Sequence, residues 1–316
     1  MAASASGRTV IIVNPASAGG RSTNSFMQAK TRLESFFGPT ETRFTERPEH
    51  ATALTREALR NGATNIIAVG GDGVVNEIVN GFYEGDASVS PEAVLNIVNA
   101  GTGGDFRKSF GIGADLDAAL NVIENGKPQR IDLGEITFVD HTGTTKSRYF
   151  ANIASFGMSG EVDMIAARSK IARTFGGRFT YAWSTLRALF RHKPKRVAIK
   201  IDDSEPVTST IGTIAVCNGQ YFGGGMHVAP MADASDGHFE VITIEATPLA
   251  TTLRSSNRIY TGDHLESPHV THRSGQTVEA YPVETNDVLL LDIDGETPGR
   301  LPAKFEVKRQ SLMLRY

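Results

Sequence analysis

The sequence predicts an α/β domain built on a parallel sheet, followed by a second, mostly antiparallel β-rich domain. Three observations predict it. Up to about residue 98, short apolar runs alternate with helix-period segments, the pattern of parallel strands joined by covering helices. From about residue 131 the apolar residues recur at every second position, as in Val197, Ile199 and Ile201. Three of the early strands also run straight into small, glycine-rich polar loops, and in an open α/β sheet such carboxyl ends share the edge where ligands bind.

The elements follow in order. Val10 to Val13 reads as a strand, Ser25 to Phe37 as a helix and Arg43 to Thr45 as a second strand. Ala51 to Leu59 is helical, Ile66 to Val69 a strand, Val74 to Val79 a helix and Val94 to Val98 a strand. Leu116, Ala119, Leu120 and Ile123 fall at helical spacing, with Asp115 placed to cap the start and Gly126 to end the helix. The first domain is therefore expected over residues 8–130 and the second over 131–304. Within the second, Phe179 to Phe190 and Pro248 to Tyr260 read as helices.

Composition narrows the partners. The chain has 316 residues, 40% hydrophobic and 21% charged, with a net charge of −3, so no global positive field points to nucleic acid. Its one cysteine, Cys217, lies in an apolar run, which excludes an intramolecular disulfide and suits a reducing compartment. The start, MAASASGRTV, has no apolar signal core, and no stretch approaches the roughly 18 apolar residues of a membrane span. The expected location is cytoplasmic. The segment from Met164 to Ile201 carries ten Lys or Arg and no acid, interleaved with Phe175, Phe179, Tyr181, Trp183 and Phe190. It can dock on anionic lipid headgroups, although a solvated helix face over an ordinary core stripe explains it as well.

The strongest chemical signal is GGDGVVNE, Gly70 to Glu77, set between an apolar strand and a helical run. Gly70, Gly71 and Gly73 at such a turn permit positive φ and close backbone approach, so amides and the helix N-terminus can face phosphate oxygens. Asp72 then stands where a carboxylate can hold Mg²⁺ or take a proton. The loops NPASAGGRS (Asn14 to Ser22) and NAGTGGDF (Asn99 to Phe106) close two further strands. No GxxxxGK[ST], GxGxxG, HRD or DFG set is present, so any nucleotide is held by another scheme.

These motifs resemble the diacylglycerol kinase catalytic-domain superfamily, which includes bacterial lipid kinases and the sphingosine and ceramide kinases. The resemblance runs from about Thr9 to the last strand. It includes the NP start, Thr45 with His50 and Ala51, GGDGxxNExxNG, GTGGDF, GGGMHVAPMADASDG (Gly223 to Gly237) and DGE (Asp294 to Glu296). It implies an NAD kinase/phosphofructokinase-like first domain, a β-sandwich-like second domain, and a last strand near 305–316 that returns to the first. Asn14, Thr45, Gly70, Gly71, Asp72, Gly73, Asn76, Glu77 and Thr102 fall on the family's ATP-contacting motifs. Two positions depart from the pattern: Val74 stands where Thr is common, and Gly104 where Asn is common.

DGE follows the apolar run Val288 to Ile293, and as residues i and i+2 of extended chain Asp294 and Glu296 could point to one face. Alone, the triplet reads as an Asp-Gly hairpin turn with an exposed Glu. The resemblance makes Glu296 the proton acceptor and Asp294 its supporting carboxylate, with Asp72 the third catalytic acid. MADASDGH sets Asp233 and Asp236 in one small-residue turn, able to offer two hard oxygens and a carbonyl to a divalent ion. By resemblance this is a structural Mg²⁺ site whose third ligand is the main-chain oxygen of His238; without it, a polar turn. His227 reads as a structural or surface histidine, with no ligand set near it in the sequence.

The sequence therefore points to a Mg-ATP-dependent kinase acting on the hydroxyl of a membrane lipid such as diacylglycerol or a sphingoid base, at the inner face of the membrane. A soluble-substrate kinase related to NAD kinase, or a regulatory protein that binds nucleotide or lipid without turnover, is the alternative. A homodimer is left open.

Overall fold

The computed structural model describes residues 7–17, 21–99, 104–158, 194–248, 250–252 and 256–316. Thr102, the expected helix Phe179 to Phe190 and most of the basic segment lie outside the described residues. The chain forms two units, one of Met1–Ile131 with Gln310–Tyr316 and one of Asp132–Arg309.

The first unit runs β1 (Arg8–Val13), α1 (Arg21–Phe37), β2 (Thr40–Phe44), α2 (His50–Arg60), β3 (Ala63–Gly70), α3 (Asp72–Gly81), a small hairpin β4 (Tyr83–Glu84) and β5 (Ala87–Ser88), β6 (Val94–Asn99), α4 (Asp105–Lys108) and α5 (Leu116–Asn125). β2, β1, β3 and β6 lie side by side in that order, all parallel. The last residues of the final strand, Gly299–Arg315, extend this sheet beside β6, Met313 opposite Val94 and Leu314 opposite Leu95.

Strand interiors such as Val10 to Val13 and Ile66 to Val69 are wholly buried, as a sheet covered on both faces requires. On α1, Phe26, Ala29, Leu33 and Phe37 recur every three or four residues and pack with Ile11, Val69 and Leu120. Truncating Leu33 to Ala would cost about 2–5 kcal/mol, the usual range for a buried leucine. α5 begins as its sequence dictates: the Asp115 side chain accepts from Ala118 N at 2.8 Å.

The second unit comprises β7 (Pro128–Asp140, from Asp132 onward), β8 (Thr145–Phe150), β9 (Ile153–Gly157), β10 (Lys195–Ile201), β11 (Val207–Cys217), β12 (Tyr221–Phe222), β13 (Met226–His227), β14 (Phe239–Glu245), β15 (Val270–Gly275), β16 (Thr277–Pro282), β17 (Leu291–Ile293) and the larger part of β18 (Gly299–Arg315). Its pairings are antiparallel: β15 with β14, β14 with β11, β11 with β10, β10 with β16 and β16 with β18. β9 adds to the far half of β11, with β17 beyond it, and β7 pairs with β8. The core is aromatic. Phe150 stacks on Phe239 at 5.5 Å between centroids, and Phe156 on Phe305 at 6.2 Å. A β-carbon at Gly134 would fall 2.1 Å from the Phe150 ring, which explains a glycine in mid-strand.

Between Pro248 and Tyr260 the expected helix is not what the described residues form. Residues 250–252 are helical and Ser256–Tyr260 is a 3₁₀ turn.

Candidate active site

In the first unit β1, β3 and β6 end together, with Val13 opposite Val69 and Gly70 opposite Asn99. Asn14 donates its backbone N–H to Val69 O at 3.2 Å, and its Oδ1 accepts from Ala16 N at 3.0 Å, an Asx turn that folds the loop back. Ser22 Oγ donates to Asn14 O at 2.5 Å. Thr45, buried at the end of β2, donates N–H to Val13 O at 2.9 Å.

The GGDG turn differs from expectation in one respect. Positive φ is absent at Gly70, Gly71 and Gly73; Gly71, at φ −103°, is the N-cap of α3. Glycine is required at 70 by contact instead, since a β-carbon there would meet Val74 Cγ1 at 2.8 Å and Ser17 Oγ at 3.3 Å. At Gly73 nothing lies within 4 Å of that position, so the first turn of α3 presents open backbone. Val74 is buried and packs on Gly70.

Asp72 opens α3, and its carboxylate ties this turn to the start of α4. Oδ2 accepts from Gly104 N at 2.8 Å and Asp105 N at 3.0 Å, and Oδ1 from Phe106 N at 3.3 Å. Burial pushes its pKa above the ordinary 3.8, while the three N–H donors pull the other way and nearby Asp105 adds to the rise. Three of a carboxylate's roughly four acceptor positions are thus occupied, leaving one for a metal or a proton. Asp105, to which the sequence reading gave no role, is buried and bound to Lys108 Nζ at 2.5 Å. Glu77 braces two helices: Oε2 accepts from Ala51 N at 2.9 Å and its carbonyl from Thr52 Oγ1 at 2.8 Å. Asn76 is buried and accepts from Asn80 Nδ2.

In the second unit the DGE triplet is not extended. Asp294 (φ 49°) and Gly295 (φ 88°) are the central residues of a two-residue hairpin, closed by Ile293 N to Glu296 O at 2.8 Å and Glu296 N to Ile293 O at 3.0 Å. Positive φ at both positions marks the primed turn for which Asp-Gly is a preferred pair. Asp294 Oδ2 accepts from Ala151 N at 2.9 Å, and Oδ1 from Asn152 N at 3.1 Å and Ile153 N at 2.9 Å. Asp292, buried, accepts from Gly295 N at 2.9 Å and from Ser155 Oγ at 3.1 Å. Glu296 is half-buried, and its Oε2 accepts from Arg148 Nη1 at 2.8 Å. Neither Asp292 nor Arg148 stood out in the sequence; of the residues they bind, only Gly295 and Glu296 of the DGE triplet did.

The MADASDG turn is bolted to β7. Wholly buried Asp132 accepts from Gly237 N at 2.7 Å and donates its own N–H to Ala234 O at 2.6 Å. Asp233 Oδ1 accepts from Ser235 N and Oγ at 3.0 and 2.6 Å, and Asp236 Oδ1 from His238 N at 2.8 Å. Among the described residues no cluster of three or more His, Cys, Asp or Glu side chains is placed to hold a metal. Two exposed carboxylates with one oxygen each engaged still suit a hard cation completed by main-chain oxygens. His227 stacks on Tyr221 at 4.3 Å, and burial lowers its pKa. Burial drives the Cys217 thiol well up, as an inert buried cysteine requires.

A parallel-sheet unit with glycine-lined strand ends and a clasped acid, in one chain with an antiparallel unit presenting an acidic hairpin, defines the class of a two-domain kinase. Comparison with known proteins agrees. The diacylglycerol kinase catalytic domain family matches residues 8–136, and the YegS C-terminal NAD kinase beta sandwich-like domain family matches 152–315. A diacylglycerol kinase of Bacillus subtilis (strain 168) is 28% identical over 299 residues, covering 94% of this chain and 92% of that protein. One of Staphylococcus aureus (strain MRSA252) is 28% identical over 302 residues, covering 94% and 89%. A crystal structure from Bacillus anthracis str. Sterne shares the fold at a TM-score of 0.76 and 19% identity over 98% of this chain and 96% of that one. A diacylglycerol kinase structure from the same organism does so at 0.71 and 18%, again over 98% and 96%. The chain belongs to the diacylglycerol kinase/YegS-like superfamily of lipid kinases.

Proposed function

We propose that the chain transfers the γ-phosphoryl group of ATP to a hydroxyl of a membrane lipid, with diacylglycerol the first acceptor to test because the relatives carry that name. The observation that carries this reading is the match of the catalytic-domain family to the unit that holds the glycine-lined strand ends. Asn14, Thr45, Gly70 to Gly73, Asn76 and Glu77 line or brace the nucleotide site, and open backbone at Gly73 suits a phosphate at the α3 N-terminus. Phosphoryl transfer needs positioning and charge neutralisation more than covalent chemistry. Mg²⁺, when bound, supplies that neutralisation at the phosphates. Asp72 holds the N-terminus of α4 and offers its remaining acceptor position towards the reaction. Glu296 takes the acceptor's proton, and Asp294 holds the turn that carries it. Asp233, Asp236 and the His238 carbonyl are the groups that would hold a structural Mg²⁺.

No helix among the described residues is long and apolar enough to cross a membrane. Peripheral docking through the basic segment, of which Lys195, Arg196 and Lys200 are described, would bring the enzyme to its substrate at the inner face. The activity test is transfer of label from γ-labelled ATP to lipids in mixed micelles, against NAD and sugar phosphates. Label should enter lipid, and label entering only a soluble acceptor overturns the assignment. Asp72→Asn and Glu296→Gln should each remove most turnover with the fold intact; near-normal turnover removes that residue from its role. Sedimentation that shows equal binding to anionic and neutral vesicles would refute the docking mode.

A further inference from the structure

One stretch of the second unit, His141 to Ile153, grips the acidic hairpin at three places. The N–H groups of Ala151, Asn152 and Ile153 hold Asp294, and Asp294 N returns a bond to Ile153 O at 3.0 Å. The His141 ring lies 2.8 Å from Thr297 O. Between them Arg148, on β8 opposite Ile136 of β7, donates to Glu296 Oε2. The first of these holds grips the Asp294 carboxylate together with its backbone N–H, and the last a main-chain carbonyl. The Arg148 hold fixes a side chain that would otherwise rotate at the tip of a tight turn.

The two partners are unequally placed. The Arg148 side chain is 17% exposed and that of Glu296 38%. The guanidinium is thus the more enclosed member of the pair and the carboxylate the more exposed one. Oε2 is engaged, and Oε1 accepts no hydrogen bond among the described residues. A guanidinium suits this hold because it is planar, permanently charged and rigid in its donor geometry, whereas an ammonium is a mobile point charge.

We infer that Arg148 is a positioning residue for phosphoryl transfer, pinning Oε2 of Glu296 so that Oε1 is presented to the acceptor hydroxyl. This rests on the assignment of Glu296 as proton acceptor. In that step the hydroxyl O–H bond breaks and its proton passes to Oε1. The freed electron pair forms the bond to the γ-phosphorus, and the bond from that phosphorus to the β–γ bridging oxygen breaks, its pair leaving with ADP. Arg148 touches none of the reacting atoms. Its effect is orientational, and misplacing a reacting group by about 1 Å costs on the order of 100-fold in rate.

The test is a double-mutant cycle of Arg148→Ala and Glu296→Gln on the full chain, with kcat and KM for ATP measured separately. Arg148→Ala should lower kcat about 10- to 100-fold, with KM for ATP changed by less than about twofold. Added guanidinium ion should restore part of that kcat. In the Glu296→Gln background the same substitution should lower kcat no further, because Arg148 acts through Glu296. Arg148→Ala turnover within about twofold of the parent, or an equal fall in both backgrounds, overturns the inference. A Glu296→Gln variant with parental kcat sinks the proton-acceptor reading and the role of Arg148 with it. An inactive Glu296→Gln beside a fully active Arg148→Ala sinks the role of Arg148 alone. Should Arg148→Ala lose its cooperative melt, Arg148→Lys carries the test: it keeps charge and stem, so a several-fold drop in kcat at unchanged KM is expected. Parental kcat there overturns the proposal.

Discussion

Replacing Asp294 by Asn should leave the hairpin in place and still destabilise the second unit by several kcal/mol. Asn-Gly is as good a primed turn as Asp-Gly, so the positive φ values at 294 and 295 survive. What changes is the receptor for three buried N–H groups on residues that are 1%, 6% and 2% exposed, Ala151, Asn152 and Ile153. With the amide oxygen at the Oδ1 position, the bonds from Asn152 and Ile153 persist as neutral ones, each weaker by about 1 kcal/mol than a bond to a charged acceptor. The amide NH₂ then faces the Ala151 N–H, and an orphaned buried donor costs about 1–3 kcal/mol. Together these give a loss of about 3–5 kcal/mol. Equilibrium urea unfolding followed by circular dichroism measures it as a lower midpoint at an unchanged slope. A loss below about 1 kcal/mol would mean that the three N–H groups do not depend on this carboxylate.

Other substitutions probe the remaining sites. Burial holds the Asp72 carboxyl above its ordinary 3.8, so the folded state keeps that proton more tightly than the unfolded chain. The resulting stabilisation is complete below about 3.8 and is lost as pH rises through the folded value; Asp72→Asn should therefore gain on the parent as pH rises from about 4 to 7, and a pH-independent difference in urea stability contradicts this. Asp233→Ala with Asp236→Ala should abolish any rise of Tm with Mg²⁺, since an ion bound only by the folded state stabilises it; a parent whose Tm ignores Mg²⁺ removes the site. Gly104→Asn installs the residue common in the resembled family, but its β-carbon would meet Arg107 Nε at 2.7 Å and Asn99 Oδ1 at 2.9 Å. It should cost about 1–3 kcal/mol alone and less when combined with Arg107→Ala, so an equal cost in both backgrounds argues against that clash.

Local patterns carried much of this molecule and stopped where partners are far apart in sequence. The strand, glycine turn and helix from Ile66 to Gly81 could be read directly, because period and breaker residues are local signals. The clasp of Asp72 could not, because its donors lie 32 to 34 positions on and nothing in GGDG encodes them. The DGE triplet shows both sides. Its Asp-Gly pair signalled a hairpin, while treating Asp294 and Glu296 as extended residues on one face missed the two positive φ values. Arg148 lies 148 positions from Glu296, and a single arginine in a strand carries no mark of its partner. The helix expected over Pro248 to Tyr260 is, among the described residues, a helical turn at 250–252 and a short 3₁₀ turn at Ser256–Tyr260.

The first unit is assembled from the two ends of the polypeptide, with residues 132–309 inserted between them. During synthesis its β6 edge must wait, uncapped, until the whole inserted unit, residues 132–309, has emerged. Only then can Leu314 settle beside Leu95, and Arg315 reach Asn96 Oδ1 at 3.0 Å and Gly126 O at 3.0 Å. A ribosome that stalls within the inserted unit would thus release a nascent nucleotide-binding half with an open sheet edge, a natural client for chaperones or proteases.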